Sequence, residues 1–188
     1  VLSDLIAIPS TVGHEKPVAE YLHTAMGEFC DECDFVPNDN SIRDDPDYAC
    51  PVKDLDYSDR PNVRVAMKGS GGGRSLLMNT HMDVVPPSSM EERPCEPQLR
   101  DGVIFGRGAC DAKGQIVCQL AVIRSLLTRR TLDVAWLGVV GEETDSIGAH
   151  RALALAPRCR RLRAVIDGEP TENSLATGQR GSLQLRLT

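Results

Sequence analysis

A histidine and an aspartate stand two positions apart where an apolar run ends, and this pair is the first place where the sequence could do chemistry. The run Ser75–Met78 leads into Asn79-Thr-His81-Met-Asp83. On a strand, side chains two positions apart point to the same face. A neighbouring carboxylate can hold the second ring nitrogen of a metal-binding imidazole and so fix its tautomer. The pattern therefore predicts His81 as a metal ligand that Asp83 orients.

Three more acidic segments follow apolar stretches, and they carry Asp111, Glu142-Glu143 and Glu169. One imidazole with three carboxylates is a ligand set that suits a borderline ion such as zinc. Two ions that share a carboxylate, about 3.5 to 4 Å apart, lower the pKa of a bridging water and polarise a carbonyl. Glu142 stands next to the predicted ligand Glu143 and is available as a general base. These residues predict hydrolysis of an amide.

Each of these residues also has a plainer interpretation when it is taken alone. His81 could be a structural histidine, the Glu142-Glu143 pair a solvated turn, and Glu169 part of a surface turn. Asp111 could cap the helix that follows it. Their shared position after apolar stretches favours a common site. The other histidines are interpreted as structural: His14, His23 and His150.

Other reaction chemistries find little support. The glycine-rich segment 69–73 lacks the Gly-Lys-Ser/Thr ending of a phosphate-binding loop. The Gly-x-Ser-x-Gly motif of serine hydrolases is absent from the sequence. Cys110 has no indicated histidine partner, and we interpret it as a packed cysteine.

Composition narrows the class of protein and its partners. The formal charge of -6 and the isoelectric point near 5.2 argue against a nucleic-acid or anionic-membrane binder. Seven cysteines without repeated spacing do not form a secreted disulfide framework, so a cytoplasmic location is expected. No stretch has the apolar length of a membrane span. We therefore expect a cytoplasmic protein that binds neither nucleic acid nor an anionic membrane.

Hydrophobic periodicity predicts the elements that must position these residues. Helical spacing covers 2–8 and 15–29, whereas alternation over 62–68, followed by the glycine segment and Leu76, predicts a hairpin or strand pair. The region 31–59 holds ten acidic residues and is predicted to be a long exposed excursion. The later elements are a helix over 114–127, a strand over 134–140, a helix over 147–155 and a strand over 162–166.

This alternation of helices and strands predicts an α/β fold with a mostly parallel central sheet flanked by helices. The polar motifs then fall just past the carboxyl ends of strands, where open α/β sheets bind ligands. After residue 176 the pattern changes to alternating leucines at 183, 185 and 187. This change predicts the entrance to a second domain.

Several motifs, in this order, resemble the M20 zinc peptidases and amidohydrolases, which include acetylornithine deacetylase, succinyl-diaminopimelate desuccinylase and aminoacylase. The resemblance is carried by Arg60-Pro-Asn-Val63, His81-Met-Asp83-Val-Val-Pro, Asp101-Gly-Val-Ile-Phe-Gly-Arg-Gly-Ala-Cys-Asp111-Ala-Lys-Gly, Gly141-Glu-Glu143, Gly168-Glu-Pro-Thr171 and Arg180-Gly-Ser-Leu. It implies a three-layer, zinc-exopeptidase-like sandwich. It also implies a hydrolase that cleaves the amide bond of an N-acyl amino acid or a small peptide.

The resemblance implies a role for each site residue. His81 and Glu169 would bind one zinc ion, Glu143 would bind the second, and Asp111 would bridge the two. Cobalt or manganese could replace zinc. Asp83 would orient His81, and Glu142 would be the catalytic base. A cis peptide bond is implied after Asp111.

Two departures from the family pattern matter. Ala112 stands where the family usually has methionine. Family members are about twice as long, and they complete the second zinc site with a histidine near the C-terminus that no position here matches. We therefore expect residues 1–175 to be an incomplete catalytic domain and 176–188 to begin the lid domain through which the complete enzyme would form a homodimer.

On this expectation, the chain alone binds one metal ion better than two and is weakly active or inactive. The alternative hypothesis is a non-catalytic domain that keeps the fold and binds a ligand or protein partner. Intact metal-ligand and base positions weigh against that alternative.

Overall fold

A computed structural model of the chain describes residues 1–46, 48–70, 75–90, 92–154 and 162–178. The helices are α1 (Leu2–Ala7), α2 (Lys16–Gly27), a short 3-10 helix (Asn40–Asp44), α3 (Lys113–Leu126) and α4 (Ile147–Ala154). The strands are β1 (Glu32–Val36), β2 (Asn62–Met67), β3 (Ser75–His81), β4 (Gln98–Arg100), β5 (Val103–Phe105), β6 (Asp133–Val139) and β7 (Leu162–Asp167).

The predicted helices form close to their expected bounds because each has an apolar stripe and a suitable end. α1 ends before Pro9, which cannot continue a helix without losing a hydrogen bond. α2 has Pro17 in its first turn, where the missing N–H costs nothing. The buried side of α2 comprises Val18, Ala19, Leu22 and Met26. These side chains belong to the main hydrophobic core.

Five strands form the main sheet in the order β1-β2-β6-β3-β7. β3 pairs in parallel with β6 on one side and β7 on the other, whereas β2 is antiparallel to both β1 and β6. Four of the five strands therefore run in the same direction. The predicted α/β fold with a mostly parallel central sheet and flanking helices is confirmed.

The predicted pairing of the segment 62–68 with the strand that begins near Leu76 is wrong. β6 lies between β2 and β3 and pairs with both. β6 is almost entirely buried, and its centre holds the fully buried Trp136. An apolar strand of this kind gains most from a central position, where both of its faces are covered.

The acidic region 31–59 is mostly exposed, as its charge suggested, but it is not without structure or contact with the core. It contains β1 and the 3-10 helix, and it contributes Ile42 (5% exposed) and Tyr57 (0% exposed) to the core. Arg64 on β2 pairs with Glu32 (2.9 Å) and Asp34 (2.6 Å) on β1. The acidic side chains are matched across the two strands, so their charge did not prevent strand formation.

Some predictions fall outside the described residues. They concern the glycine turn at 71–73, the motif that begins at Arg180 and the leucine strand over 183–187. Among the described helices, none is both long and apolar enough to cross a membrane.

Candidate metal centre

The predicted site residues meet at one edge of the sheet, where three adjacent parallel strands end. His81 is the last residue of β3, the Glu142-Glu143 pair follows β6, and Glu169 follows β7. Asp111 reaches the same place from the segment that leads into α3. These side chains therefore share the carboxyl edge of a parallel sheet, as the sequence predicted.

Hydrogen bonds between β3 and β7 place Glu169 beside His81. The Thr80 hydroxyl donates to the Gly168 carbonyl at 2.9 Å, and the Gly168 N–H donates to the Asn79 carbonyl at 2.8 Å. These bonds hold the chain after β7 against the end of β3. The Glu169 Oε2 atom consequently lies 3.8 Å from the His81 Nε2 atom.

Asp111 lies directly in front of the imidazole, with its Oδ1 atom 2.8 Å from His81 Nε2. The peptide bond from Asp111 to the fully buried Ala112 is cis, as the family resemblance implied. The start of α3 is fixed by Lys113, whose Nζ atom donates to the carbonyls of Leu5 and Ile8 at 2.8 Å each. No side-chain cap is formed at the start of α3, so the alternative interpretation of Asp111 as a helix cap is wrong.

Asp83 is fully buried and supports the site in two ways. Its backbone carbonyl lies 2.9 Å from His81 Nδ1, whereas its carboxylate Oδ1 is 3.7 Å from the same nitrogen. The carboxylate instead accepts hydrogen bonds from the backbone N–H groups of Glu142 (3.2 Å) and Glu143 (3.0 Å). Asp83 therefore holds both the imidazole and the turn that carries the two glutamates.

The cluster carries more negative charge than it can neutralise. Five carboxylates surround one imidazole: Asp83, Asp111, Glu142, Glu143 and Glu169. Burial by itself lowers the pKa of His81, but the surrounding carboxylates outweigh it and raise this pKa to about 10. Loss of solvent raises the pKa of Glu169 to about 7, and it also raises the pKa values of Glu142 and Glu143.

This arrangement fits a bound cation. The Nδ1 atom of His81 faces a carbonyl oxygen and acts as the donor, so in the neutral ring Nε2 offers a lone pair toward Asp111 Oδ1. Two acceptors at this distance require a proton or a metal ion between them. A divalent ion would supply that charge and offset the excess of carboxylates.

Two groups of side chains among the described residues have ligand atoms within 4.8 Å of one another. One is His81, Asp111 and Glu169, and the other is His81, Glu142 and Glu143. The first group is the set predicted for one zinc ion. The second zinc ion was assigned to Asp111 and Glu143, and these two occur in different groups.

The histidines interpreted as structural lie outside both groups. His23 stacks on Phe35, with 4.3 Å between ring centroids. His150 pairs with Asp45 at 3.4 Å on the surface. Neither contact involves the candidate metal ligands.

An open cleft of about 560 Å³ leads away from the cluster. Its lining residues include Asp111 and Glu143 from the cluster, and Arg100 and Phe105 from the β4–β5 hairpin. Two of the candidate ligands therefore border an open cleft.

The fold and the ligand cluster agree with a match to a known protein family. Residues 77–180, more than half of the chain, match the sequence model of Peptidase family M20/M25/M40. This span contains every predicted site residue. The chain belongs to this peptidase family, so the resemblance seen in the sequence motifs is confirmed.

Solved structures share the fold at low sequence identity. The di-peptidase Dug1p from Saccharomyces cerevisiae matches 89% of this chain at 14% identity with a TM-score of 0.72. The M20 family metallo-carboxypeptidase Sso-CP2 from Sulfolobus solfataricus matches 89% at 18% identity with a TM-score of 0.67. The YXEP protein from Bacillus subtilis, a dinuclear metal binding peptidase, matches 89% at 16% identity with a TM-score of 0.56.

This chain covers 37%, 36% and 40% of those three structures, respectively. It therefore corresponds to a little over a third of the length of the solved proteins that it resembles.

Proposed function

We propose that the full-length protein is a hydrolase that uses two zinc ions to cleave the amide bond of a small peptide or an N-acyl amino acid. The observation that carries this proposal is the cluster of His81, Asp111 and Glu169 at the carboxyl edge of the sheet, in a chain of the M20 family. Names of solved relatives, a di-peptidase and a carboxypeptidase, support small peptides as the first substrates to try.

In the proposed site, His81 and Glu169 would hold one metal ion, Glu143 would hold the other, and Asp111 would be a ligand to both. Bound zinc would polarise the amide carbonyl and lower the pKa of the attacking water. Cobalt or manganese could take the same positions because the donors are nitrogen and oxygen atoms. Asp83 keeps the imidazole and the glutamate turn in place through the hydrogen bonds described above.

Glu142 is the proposed general base. Its carboxylate accepts a proton from the attacking water and then donates that proton to the nitrogen of the leaving amine, so no proton is gained or lost over the cycle. Loss of solvent, together with the negative charges of Asp83 and Asp111, raises the pKa of Glu142. A raised pKa makes the carboxylate a better proton acceptor.

The remaining parts of the proposal concern the rest of the protein. Residues 1–175 would form an incomplete catalytic domain, and 176–188 would begin a lid domain through which the complete enzyme forms a homodimer. The six cysteines that the structure describes are free thiols, which is consistent with the proposed cytoplasmic location.

The test is a comparison of metal content with hydrolysis in the full-length protein. We expect bound zinc in elemental analysis, loss of that zinc in His81→Ala, and zinc-dependent cleavage of dipeptides or N-acyl amino acids. His150→Ala is the matched control, since this histidine lies outside both ligand groups. A protein that binds zinc but cleaves no member of either substrate class would favour the non-catalytic alternative.

A further inference from the structure

A second polar network, buried in the core, packs against the turn that carries Glu142 and Glu143. It begins with Glu15 and Arg60, whose side chains are 0% and 1% exposed. Arg60 Nε donates to both carboxylate oxygens of Glu15, at 3.1 and 2.9 Å, and Arg60 Nη2 also contacts this carboxylate. Because buried ion pairs seldom add net stability, this pair suggests a further purpose.

The network continues from Arg60 through Tyr57. The guanidinium lies 5.1 Å from the centroid of the Tyr57 ring, a distance typical of a cation–π contact. The Tyr57 hydroxyl donates to Asp145 Oδ2 at 2.6 Å. Burial, followed by this hydrogen bond, raises the pKa of Tyr57, so the phenol stays protonated and remains a donor.

Asp145 belongs to the same turn as the two glutamates. Its N–H donates to the Gly141 carbonyl at 3.0 Å, and its Oδ1 atom accepts the N–H of Ile147 at 3.1 Å. Gly141 has φ +75, and a Cβ atom there would lie 2.7 Å from Asp145 Oδ1 and 3.1 Å from Arg60 Nη2. The turn is therefore packed directly on the buried network.

The turn is thus held by hydrogen bonds to carboxylates on two sides. Asp83 binds the N–H groups of Glu142 and Glu143 from the cluster side. Asp145 is fixed by Tyr57 from the core side. We propose that Tyr57 is a positioning residue, which sets the location of the Glu142 and Glu143 carboxylates by anchoring Asp145. The kinetic consequence of this inference rests on the proposed hydrolase function.

Tyr57→Phe tests the inference because it removes only the hydroxyl and keeps the ring beneath Arg60. Tyr21→Phe is the matched control, since the Tyr21 hydroxyl also donates to an aspartate, Asp4 (3.0 Å), but at the surface of α1 and α2. The first measurement is amide hydrogen exchange in the full-length, metal-free protein. It therefore does not depend on catalysis.

We expect the Glu142 and Glu143 amides to exchange at least about tenfold faster in Tyr57→Phe, because a hydrogen bond to a charged group is lost. The amides of β6 should be unchanged, and Tyr21→Phe should leave both regions unchanged. Unaltered exchange at the turn would overturn the proposal. Faster exchange throughout β6 would also overturn it, because Tyr57 would then support general stability only.

The second measurement is steady-state kinetics of the zinc-loaded protein. In Tyr57→Phe, displacement of the proposed base Glu142 and the proposed ligand Glu143 should lower kcat by about ten- to a hundredfold, while KM stays within about twofold. A looser turn with unchanged kcat would refute the positioning role in catalysis. If the unmodified protein hydrolyses no substrate, the proposed function fails, and hydrogen exchange still decides whether Tyr57 positions the turn.

Asp145→Asn provides a second variant in case Tyr57→Phe does not fold. Asparagine has a single side-chain oxygen, so it cannot accept from both the Ile147 N–H and the Tyr57 hydroxyl as the Asp145 carboxylate does. We expect faster exchange at the same two amides. Absence of any change there would count against the proposal.

Discussion

Two polar clusters contact the turn that carries Glu142 and Glu143, and they differ in how their charges are balanced. On the core side, Glu15 is matched by Arg60 and shielded completely from solvent. On the cluster side, His81 faces five carboxylates with no guanidinium among its described partners. Glu15 and Arg60 balance each other's charge, whereas the carboxylates around His81 keep an excess of negative charge that a cation would offset. The difference separates a part of the fold that holds the turn from a part that is proposed to bind an ion.

The largest expected effect comes from removing the proposed base from the turn itself. Glu142→Ala should lower kcat of the full-length protein by about 10²- to 10⁴-fold, because proton transfer loses its acceptor. Zinc content should stay unchanged, since Glu142 is not among the proposed ligands. Steady-state assays and elemental analysis measure the two quantities, with Glu20→Ala on the surface of α2 as control. Parallel loss of zinc and activity would indicate that Glu142 is a metal ligand and not the general base.

Breaking the balanced cluster should have the next largest effect. Arg60→Met leaves Glu15 buried without its partner, so the free energy of unfolding should fall by about 3 to 5 kcal/mol. The double variant Glu15→Leu with Arg60→Met removes both charges and should recover most of that loss. Chemical denaturation of the metal-free protein measures both. Equal losses in the single and double variants would mean that packing, and not the pairing of charges, dominates.

The smallest effect should come from the unbalanced cluster, and it should have the opposite sign. Without metal, Glu169→Gln removes one of five crowded carboxylates, so the free energy of unfolding should rise by up to about 1 kcal/mol. The same variant should bind zinc more weakly, because a ligand is lost. Chemical denaturation with a chelator and zinc titration separate the two effects. A clear loss of stability without metal would contradict the contrast between the clusters.

Local sequence patterns predicted most helices and strands of the fold but not which strands pair with each other. The helix over 114–127 and the strand over 134–140 were placed within one residue of α3 and β6. The insertion of β6 between β2 and β3 depends on pairing between distant segments, which periodicity does not encode. β1 was missed because its acidic residues suggested solvent, and their pairing with Arg64 across the sheet was not visible in the chain.

The β4–β5 hairpin was missed although the sequence carries its signal. Asp101-Gly102 joins the two strands with φ values of 50 and 79, and an Asp-Gly pair between short apolar segments is a strong hairpin signature. The candidate site was easier to predict than this hairpin, because its residues all follow apolar stretches. Tyr57 and Asp145 could not be connected in advance, since 88 positions separate them.

His81 belongs to both groups of candidate ligands, and this sharing limits how metal ions can fill the site. Because Nδ1 faces the Asp83 carbonyl, only Nε2 has a lone pair to offer, and one nitrogen lone pair serves one ion at a time. The two groups are therefore mutually exclusive alternatives. An ion that binds one group through the imidazole leaves the other group without a nitrogen ligand. The two groups therefore compete for the imidazole, and they cannot both bind an ion through it.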